Sequence, residues 1–184
     1  MKWLKSAPKP PNGSWVAGSQ FDGDTNNVQH VLANLTAFFP GATKYEIAGF
    51  FWWQGDKDSR DAGLSAAYET NLVALIKGVR KLFNAPTAPF VTAALGQTVL
   101  GSTSGDGEIL NAMLNVGCNG NTQGAETKCK YPEFKGNVAA IYTHPLENTP
   151  GSSGGHYGGD ALTYTNVGQA MGSAMAAMKK AAAQ

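Results

Sequence analysis

Three short apolar runs alternate with amphipathic segments along this chain. The runs are EIAGFFWW at 46–53, FVTAALGQ at 90–97 and NVAAIYTH at 137–144. Each has the length and continuity of a strand that is buried on both faces. Because strands that alternate with helices favour a parallel sheet with helices packed on both sides, we predict an α/β fold with three layers, α/β/α.

Four segments repeat apolar residues at helical intervals of three and four. We expect helices that begin at Asp24, near Leu64, at the segment GEILNAMLNV (107–116) and near Tyr164. Pro40-Gly41 is expected to end the first helix. Residues 1–23 are rich in Pro, Gly, Ser and Trp, and we predict that they are irregular and precede a partial α/β domain over 24–184.

The predicted sheet is small for its class. Doubly wound domains usually have about five or more strands, and a sheet of three leaves an apolar edge unpaired. The aromatic run at 46–53 would lie at that edge. We therefore expect the first strand units of the fold to be missing from this chain. Another chain or a second copy would then cover the exposed edge.

The composition excludes several classes of function. The chain has 184 residues, of which 42% are hydrophobic and 15% charged, as is typical of one globular domain. Its net charge is +1, so nothing favours binding to nucleic acid or to a membrane surface. No apolar run approaches the roughly 18 residues that span a bilayer. The opening MKWLKSAPKPP lacks the apolar core of a signal peptide.

The two cysteines, Cys118 and Cys129, enclose a polar loop. Their spacing favours a local disulfide over two unpaired thiols, and the loop offers too few further ligands for a metal site. A disulfide indicates an oxidising compartment, so we expect the chain to be extracellular or periplasmic.

Polar side chains follow the predicted strands. Gln54 emerges directly after the aromatic run, and His144 ends the third run, with His156 in the loop beyond it. In open parallel sheets the reactive groups lie at the carboxyl ends of the strands. This edge is therefore the predicted site.

Two blocks of the chain resemble the SGNH-type carbohydrate esterases, which include sialate O-acetylesterases and acetylxylan esterases. WWQGDKD is similar to their Trp-x-Gln-Gly-Glu block, and GGHYGGDALTYTNVGQAMGSAMA is similar to the block that contains their catalytic histidine. Linking pieces such as PPNGSWVAGSQFD and YPEFKGNVAAIYT extend the resemblance from about Pro10 to Met175. The fold that this resemblance implies is SGNH-like, related to the flavodoxin-like arrangement.

The resemblance implies hydrolysis of an O-acyl ester, usually an acetyl group on a sugar, without a cofactor or metal. His156 would be the general base, and Gln54 would donate its side-chain amide to the oxyanion. Gly55 would let the backbone approach the oxyanion, and Asp56 would organise the site through hydrogen bonds. The acylated carbohydrate is the expected partner.

The chain also departs from that family pattern. The family's nucleophile lies in a Gly-Gln-Ser-Asn block, and this sequence has only Gly18-Ser19-Gln20, which makes Ser19 a weak candidate nucleophile. The acid partner of the histidine is open between Glu147 and Asp160. We therefore interpret the chain as a fragment of an SGNH-like esterase domain, or as one part of a domain that another chain completes.

Each candidate also has a purely structural interpretation. Trp53 could form an aromatic wall beside a sugar or simply pack in the core, and because alternate strand residues face opposite sides, Trp52 would point the other way. Residues 54–56 could be a strand-to-helix turn, and His156 a surface histidine. We expect His144 to make a local hydrogen bond and His30 to face solvent.

The function also has an alternative. A chain that kept the scaffold without the serine could bind glycans or serve as an assembly subunit. A flavodoxin-like phosphate binder is disfavoured, because no Gly-rich loop follows a strand.

Overall fold

The computed structural model describes residues 16–119, 124–148 and 156–184. The contacts within the chain divide it into two compact units, Met1–Ile47 and Ala48–Gln184, and each is described by itself. Residues 1–15, which are predicted to be irregular, lie outside the described part of the chain.

The first unit contains two helices, α1 (Ser19–Ala33) and α2 (Leu35–Phe38). The predicted start at Asp24 is wrong: Gly18 adopts φ 76° and turns the chain into a helix that begins at Ser19, so residues 19–23 are not irregular. The single predicted helix is also interrupted at Asn34, where φ is −117° and the side-chain amide donates to the His30 carbonyl at 2.8 Å. His30 is exposed, as predicted.

The second unit is built on a parallel sheet. Its three strands are β1 (Phe50–Trp52), β2 (Phe90–Ala93) and β3 (Val138–Ile141), in the order β1-β2-β3 among the described residues. The register pairs Phe50 with Phe90, and Phe90 with Val138. The predicted strands are therefore present, although each is shorter than the apolar run that contains it.

Burial differs between the edge and the inner strands. All residues of β2 and β3 are buried, as predicted for strands covered on both faces. The same prediction is wrong for β1, where Phe51 is 57% exposed. The reason is position: β1 ends the sheet in the described part of the chain and has a neighbouring strand on one side only.

Three longer helices follow the strands as the apolar periods predict. They are α3 (Ala62–Leu82), α4 (Gly105–Val116) and α5 (Ala161–Ala182). Each begins at a side chain that accepts from free backbone N–H groups of the first turn, which stabilises a helix start. These caps are Asp61, Ser104 and Asp160.

The sheet lies between helices on two faces, which confirms the three-layer α/β/α prediction. One face of α5 packs on alternate residues of the inner strands and forms a core cluster of Val91, Ala93, Ala139, Ile141, Val167, Met171, Met175 and Met178. The remaining residues of these strands point to the other face. There α4 packs on β3 and α3 packs on α4.

A buried arginine joins the helical layer to the start of the sheet. The Arg80 guanidinium on α3 donates to the Ala88 carbonyl at 3.0 and 2.8 Å. It also donates to the carbonyl and side-chain oxygens of Asn137 at 2.9 and 2.8 Å. Because these residues lead into β2 and β3, the contacts fix the end of the sheet opposite to the one that carries Gln54. Burial lowers the pKa of Arg80.

The predicted disulfide is present between Cys118 and Cys129, with Cα atoms 4.2 Å apart. Glu69 on α3 anchors the segment that follows, because its carboxylate accepts from Lys130 and Tyr131 at 2.7 Å each. Burial alone would raise the pKa of Glu69, but these hydrogen bonds and one from Asn115 outweigh it and lower that pKa. The hydrogen bond to Glu69 raises the pKa of Tyr131 to about 12.

None of the helices in the described residues has the length and apolar character that crossing a membrane requires.

Candidate functional site

Gln54 lies just beyond β1, at the edge of the sheet where the strands end. Its backbone carbonyl accepts from the Tyr68 hydroxyl at 2.7 Å, and its side-chain Nε2 donates to Asp58 Oδ2 at 2.6 Å. Tyr68 in turn accepts from Trp52 Nε1 at 3.1 Å. Burial raises the pKa of Tyr68, so its hydroxyl stays protonated and available as a donor. This network holds the Gln54 backbone and amide in one orientation.

Asp58 is the buried carboxylate of this network, and it begins a short 3₁₀ turn, Asp58–Arg60. Burial raises its pKa, because a charged carboxylate loses solvation there, and the hydrogen bond from Gln54 opposes that effect in part. Sequence reasoning missed Asp58, although its position four residues after Gln54 was a usable signal.

The two residues after Gln54 differ in their environment. Gly55 is buried with φ 150°, and a Cβ there would lie 2.8 Å from Ile109 Cγ2, so the backbone passes where only glycine fits. Asp56 is exposed and forms an ion pair with Arg60 at 2.7 Å. It also accepts from Gln97 Nε2, in the loop after β2, at 3.4 Å. Asp56 thus connects two loops at the same edge of the sheet.

Trp53, which is predicted either to form an aromatic wall beside a sugar or to pack in the core, lies at the same edge of the sheet. Its indole Nε1 donates to the Ala94 carbonyl at 3.1 Å. Its ring stacks on Tyr157, with centroids 5.4 Å apart, and is tilted against Tyr164 on α5 at the same separation. Trp52 contacts α3 instead, so the two tryptophans do face opposite sides, as predicted.

His156 lies in a left-handed turn before α5, with φ 60° and ψ 45°. It is exposed, and its backbone carbonyl accepts from the Tyr164 hydroxyl at 2.9 Å. The next residue is Tyr157, which stacks on Trp53. His156 and Gln54 are therefore each one residue away from a member of the same aromatic pair.

Gly96, after β2, is a point where several groups converge. His144 Nδ1 lies 2.7 Å from the Gly96 carbonyl. Because a carbonyl oxygen only accepts, Nδ1 carries the proton in this pair. His144 does make a hydrogen bond, but its partner belongs to the loop after β2 and is not local in sequence, which the prediction had expected. The Gly96 N–H donates to the Tyr157 hydroxyl at 3.0 Å. Sequence reasoning did not find Gly96 or Tyr157, because nothing local marks these contacts.

The two candidate acid partners have different surroundings. Asp160 caps α5 and accepts from the Thr163 N–H at 2.8 Å and hydroxyl at 2.6 Å. These hydrogen bonds lower the pKa of Asp160 and occupy its carboxylate. Glu147 lies against Gly96, where its carboxylate would meet any Cβ added to that glycine. Of the two, Glu147 is the one placed beside the predicted edge.

Ser19, the candidate nucleophile, is the first residue of α1 in the unit Met1–Ile47 and is exposed. Its N–H donates to the Val16 carbonyl at 3.1 Å. Within the described residues, no group of three or more His, Cys, Asp or Glu side chains could hold a metal ion.

Comparison with known proteins identifies the family of the chain. The sequence profile of the family described as "Carbohydrate esterase, sialic acid-specific acetylesterase" matches residues 14–176. Among solved structures, the chain is similar to a protein from Arabidopsis thaliana determined by X-ray crystallography at 1.6 Å, with a TM-score of 0.55 and 16% identity. The similarity covers 93% of this chain and 54% of that one, so this chain matches about half of the relative's length. No curated protein matches the chain significantly.

Proposed function

The chain belongs to the sialic acid-specific acetylesterase family of carbohydrate esterases, and on that premise we propose that it acts in hydrolysis of an O-acetyl ester on a sugar by SGNH-type chemistry. The observation that carries the proposal is the stack of Trp53 on Tyr157. It brings the backbone that bears His156 to the strand end that bears Gln54.

In the proposed reaction a hydroxyl nucleophile attacks the acetyl carbonyl carbon, and its proton passes to the His156 imidazole. The carbonyl oxygen becomes an oxyanion, to which Gln54 Nε2 donates. One Nε2 hydrogen is used by Asp58, and the second remains for the oxyanion. The tetrahedral intermediate expels the sugar oxygen, which takes the proton from His156. Water then attacks the acetyl-enzyme, passes a proton through His156, and releases acetate.

The location of the nucleophile has two alternatives. Ser19 is the candidate that this sequence offers. The other is a serine from a segment or chain outside these 184 residues, which we propose because this sequence has no Gly-Gln-Ser-Asn block. Turnover by the wild-type chain that Ser19→Ala abolishes would identify Ser19, and no turnover by the wild-type chain would indicate the second alternative.

The test is acetate release from p-nitrophenyl acetate and from an O-acetylated sialoside, measured with the chain and four single variants. We expect His156→Ala to abolish turnover and Gln54→Ala to lower kcat by about 10²- to 10³-fold, the usual effect of losing an oxyanion donor. His30→Ala, which removes an exposed histidine of the other unit, is the control and should change nothing. Ser19→Ala shows whether Ser19 is the nucleophile. A wild-type rate equal to the buffer blank would mean that the nucleophile lies outside this chain, whereas turnover retained in His156→Ala would contradict the proposal.

A second candidate function is non-catalytic binding of glycans. The observation that favours it is that Gln54 and Asp56 are both engaged within their own turn, with Asp58 and Arg60. A binding module would show calorimetric affinity for the acetylated sugar, which would be retained in His156→Ala and accompanied by no release of acetate.

We also propose an extracellular or periplasmic location, which the disulfide supports because such bonds persist in oxidising compartments.

A further inference from the structure

The turn that contains His156 has an unusual backbone. Four consecutive residues have positive φ: His156 (60°), Tyr157 (56°), Gly158 (61°) and Gly159 (75°). Glycine adopts this conformation freely, whereas a residue with a side chain is disfavoured there by roughly 1–2 kcal/mol. A pair of such residues persists only where the surrounding contacts determine the conformation.

Two tyrosines supply those contacts. The Tyr164 hydroxyl on α5 donates to the His156 carbonyl at 2.9 Å, and its ring meets the Tyr157 ring edge-on with centroids 5.8 Å apart. The Tyr157 side chain reaches into the sheet, where its ring stacks on Trp53 with an interplanar angle of 25°. Its hydroxyl accepts the Gly96 N–H at 3.0 Å.

The contact with Tyr157 leaves no room for a side chain at residue 96, which is glycine. A Cβ at Gly96 would lie 2.8 Å from the Tyr157 ring carbon Cε1, a separation that real Cβ atoms do not show. The Gly96 carbonyl is held at the same time by His144 Nδ1 at 2.7 Å. Tyr157 therefore attaches the turn to a residue whose carbonyl is held separately by His144.

We propose that Tyr157 is a positioning residue, which holds His156 at the carboxyl end of the sheet by attaching its turn to Gly96 and Trp53. The proposal rests on the proposed function in treating His156 as the base, and it goes further by assigning the residue that sets the position of that base. Trp53 serves as the anchor for Tyr157, so one of its faces is used within the protein.

The test compares Tyr157→Phe, which keeps the stacked ring and loses the acceptor, with Tyr157→Ala, which loses both. The matched control is Tyr142→Phe, because the Tyr142 hydroxyl also accepts a backbone N–H of the loop after β2, that of Leu100 at 3.3 Å. Each variant is first checked by its Tm. The readouts are the NMR titration of the three histidine imidazoles, the hydrogen exchange of the Gly96 N–H, and kcat with KM.

We expect Tyr157→Phe to raise the exchange rate of the Gly96 N–H by about 3- to 10-fold, as the loss of one hydrogen bond allows. Tyr157→Ala should in addition displace the His156 resonances and lower kcat by about 10- to 100-fold with little change in KM. The His30 resonances should stay as in the wild type, and Tyr142→Phe should leave the His156 resonances, the Gly96 exchange rate and kcat unchanged. The His144 resonances are not used for this control, because the Tyr142 ring stacks on His144.

Unchanged His156 resonances and unchanged Gly96 exchange in folded Tyr157 variants would overturn the proposal. If Tyr157→Ala does not fold, Tyr157→Phe decides the question through the Gly96 exchange rate. Turnover that requires His156 but is insensitive to both Tyr157 substitutions would overturn this inference and leave the proposed function intact. A His156 response in a chain without esterase activity would support the inference while showing that this chain alone does not carry out the proposed reaction.

Discussion

The side-chain amide of Gln54 donates to the carboxylate of Asp58 at 2.6 Å, and Asp58 is buried. The pair orients the amide at the end of β1 by placing a carboxyl acceptor in a buried position. A buried carboxylate is costly to keep ionised, so this orientation reduces the stability of the folded chain at neutral pH.

The first prediction concerns this cost and its dependence on pH. Burial raises the pKa of Asp58 in the folded chain above its unfolded value of 3.8, so the folded state binds the proton more tightly. Its contribution to stability is therefore greatest below the unfolded pKa and is lost as the pH rises through the folded pKa. Near neutral pH the Asp58→Asn variant should therefore have a larger free energy of unfolding than the wild type. The difference between the two proteins should become smaller as the pH is lowered and the Asp58 carboxyl takes up its proton.

Urea unfolding of both proteins across that pH range measures the difference. Asp56→Asn, which removes an exposed carboxyl from the same turn, is the control. A difference between wild type and Asp58→Asn that does not vary with pH would contradict the prediction.

The second prediction concerns the buried guanidinium of Arg80. Lysine cannot reproduce its simultaneous hydrogen bonds to Ala88 and Asn137, so Arg80→Lys should lower the free energy of unfolding by about 2–3 kcal/mol. Arg60→Lys is the matched control, because Arg60 forms an exposed ion pair with Asp56. That change should stay within about 0.5 kcal/mol in the same denaturant experiment. If Arg80→Lys and Arg60→Lys lowered the free energy of unfolding by the same amount, the prediction that the buried arginine contributes more would be wrong.

The third prediction concerns the disulfide. Replacing Cys118 and Cys129 together by serine removes the cross-link from the unfolded chain, so the free energy of unfolding should fall by about 2–3 kcal/mol. Thermal unfolding of this variant and of the wild type, with and without reductant, measures the effect. Reductant should lower the Tm of the wild type and leave that of the variant unchanged. An unaltered wild-type Tm under full reduction would argue against a stabilising cross-link.

The fourth prediction concerns the edge of the sheet at β1. Phe51 is 57% exposed there, and an apolar edge strand favours pairing with another copy of the chain. We expect the wild type to associate and Phe51→Lys to associate less, because a charged edge residue opposes strand pairing. Analytical ultracentrifugation measures the change. Leu162→Lys, at a 50% exposed apolar residue of α5, is the control. A monodisperse wild-type monomer would rule the prediction out.

The order of the elements in Ala48–Gln184 could be predicted because hydrophobic periodicity is a local property. The intervals of three and four predicted α3, α4 and α5, and the apolar runs predicted the three strands. The runs overestimated strand length, since apolar character reports burial and not hydrogen bonding. The start of α1 was missed because it depends on the left-handed Gly18, which has no hydrophobic signal.

The candidate site could be predicted only in part. Gln54 and His144 follow strands in the sequence, so the edge where they lie was predictable from the pattern of parallel sheets. Asp58 is close to Gln54 in sequence and could have been found from its spacing. Tyr157 and Gly96 could not, because their contact joins distant segments across the sheet.

The sequence by itself determined the three strands and three long helices of Ala48–Gln184, which cysteines pair, and which family the chain resembles, because all three depend on residue types at short spacing. Only the tertiary structure decided that Trp53 meets Tyr157 and that Gly96 is held between Tyr157 and His144. Those contacts depend on how parallel strands align and on how α5 packs against them. Such distances follow from packing of the whole unit and not from any local pattern of residues.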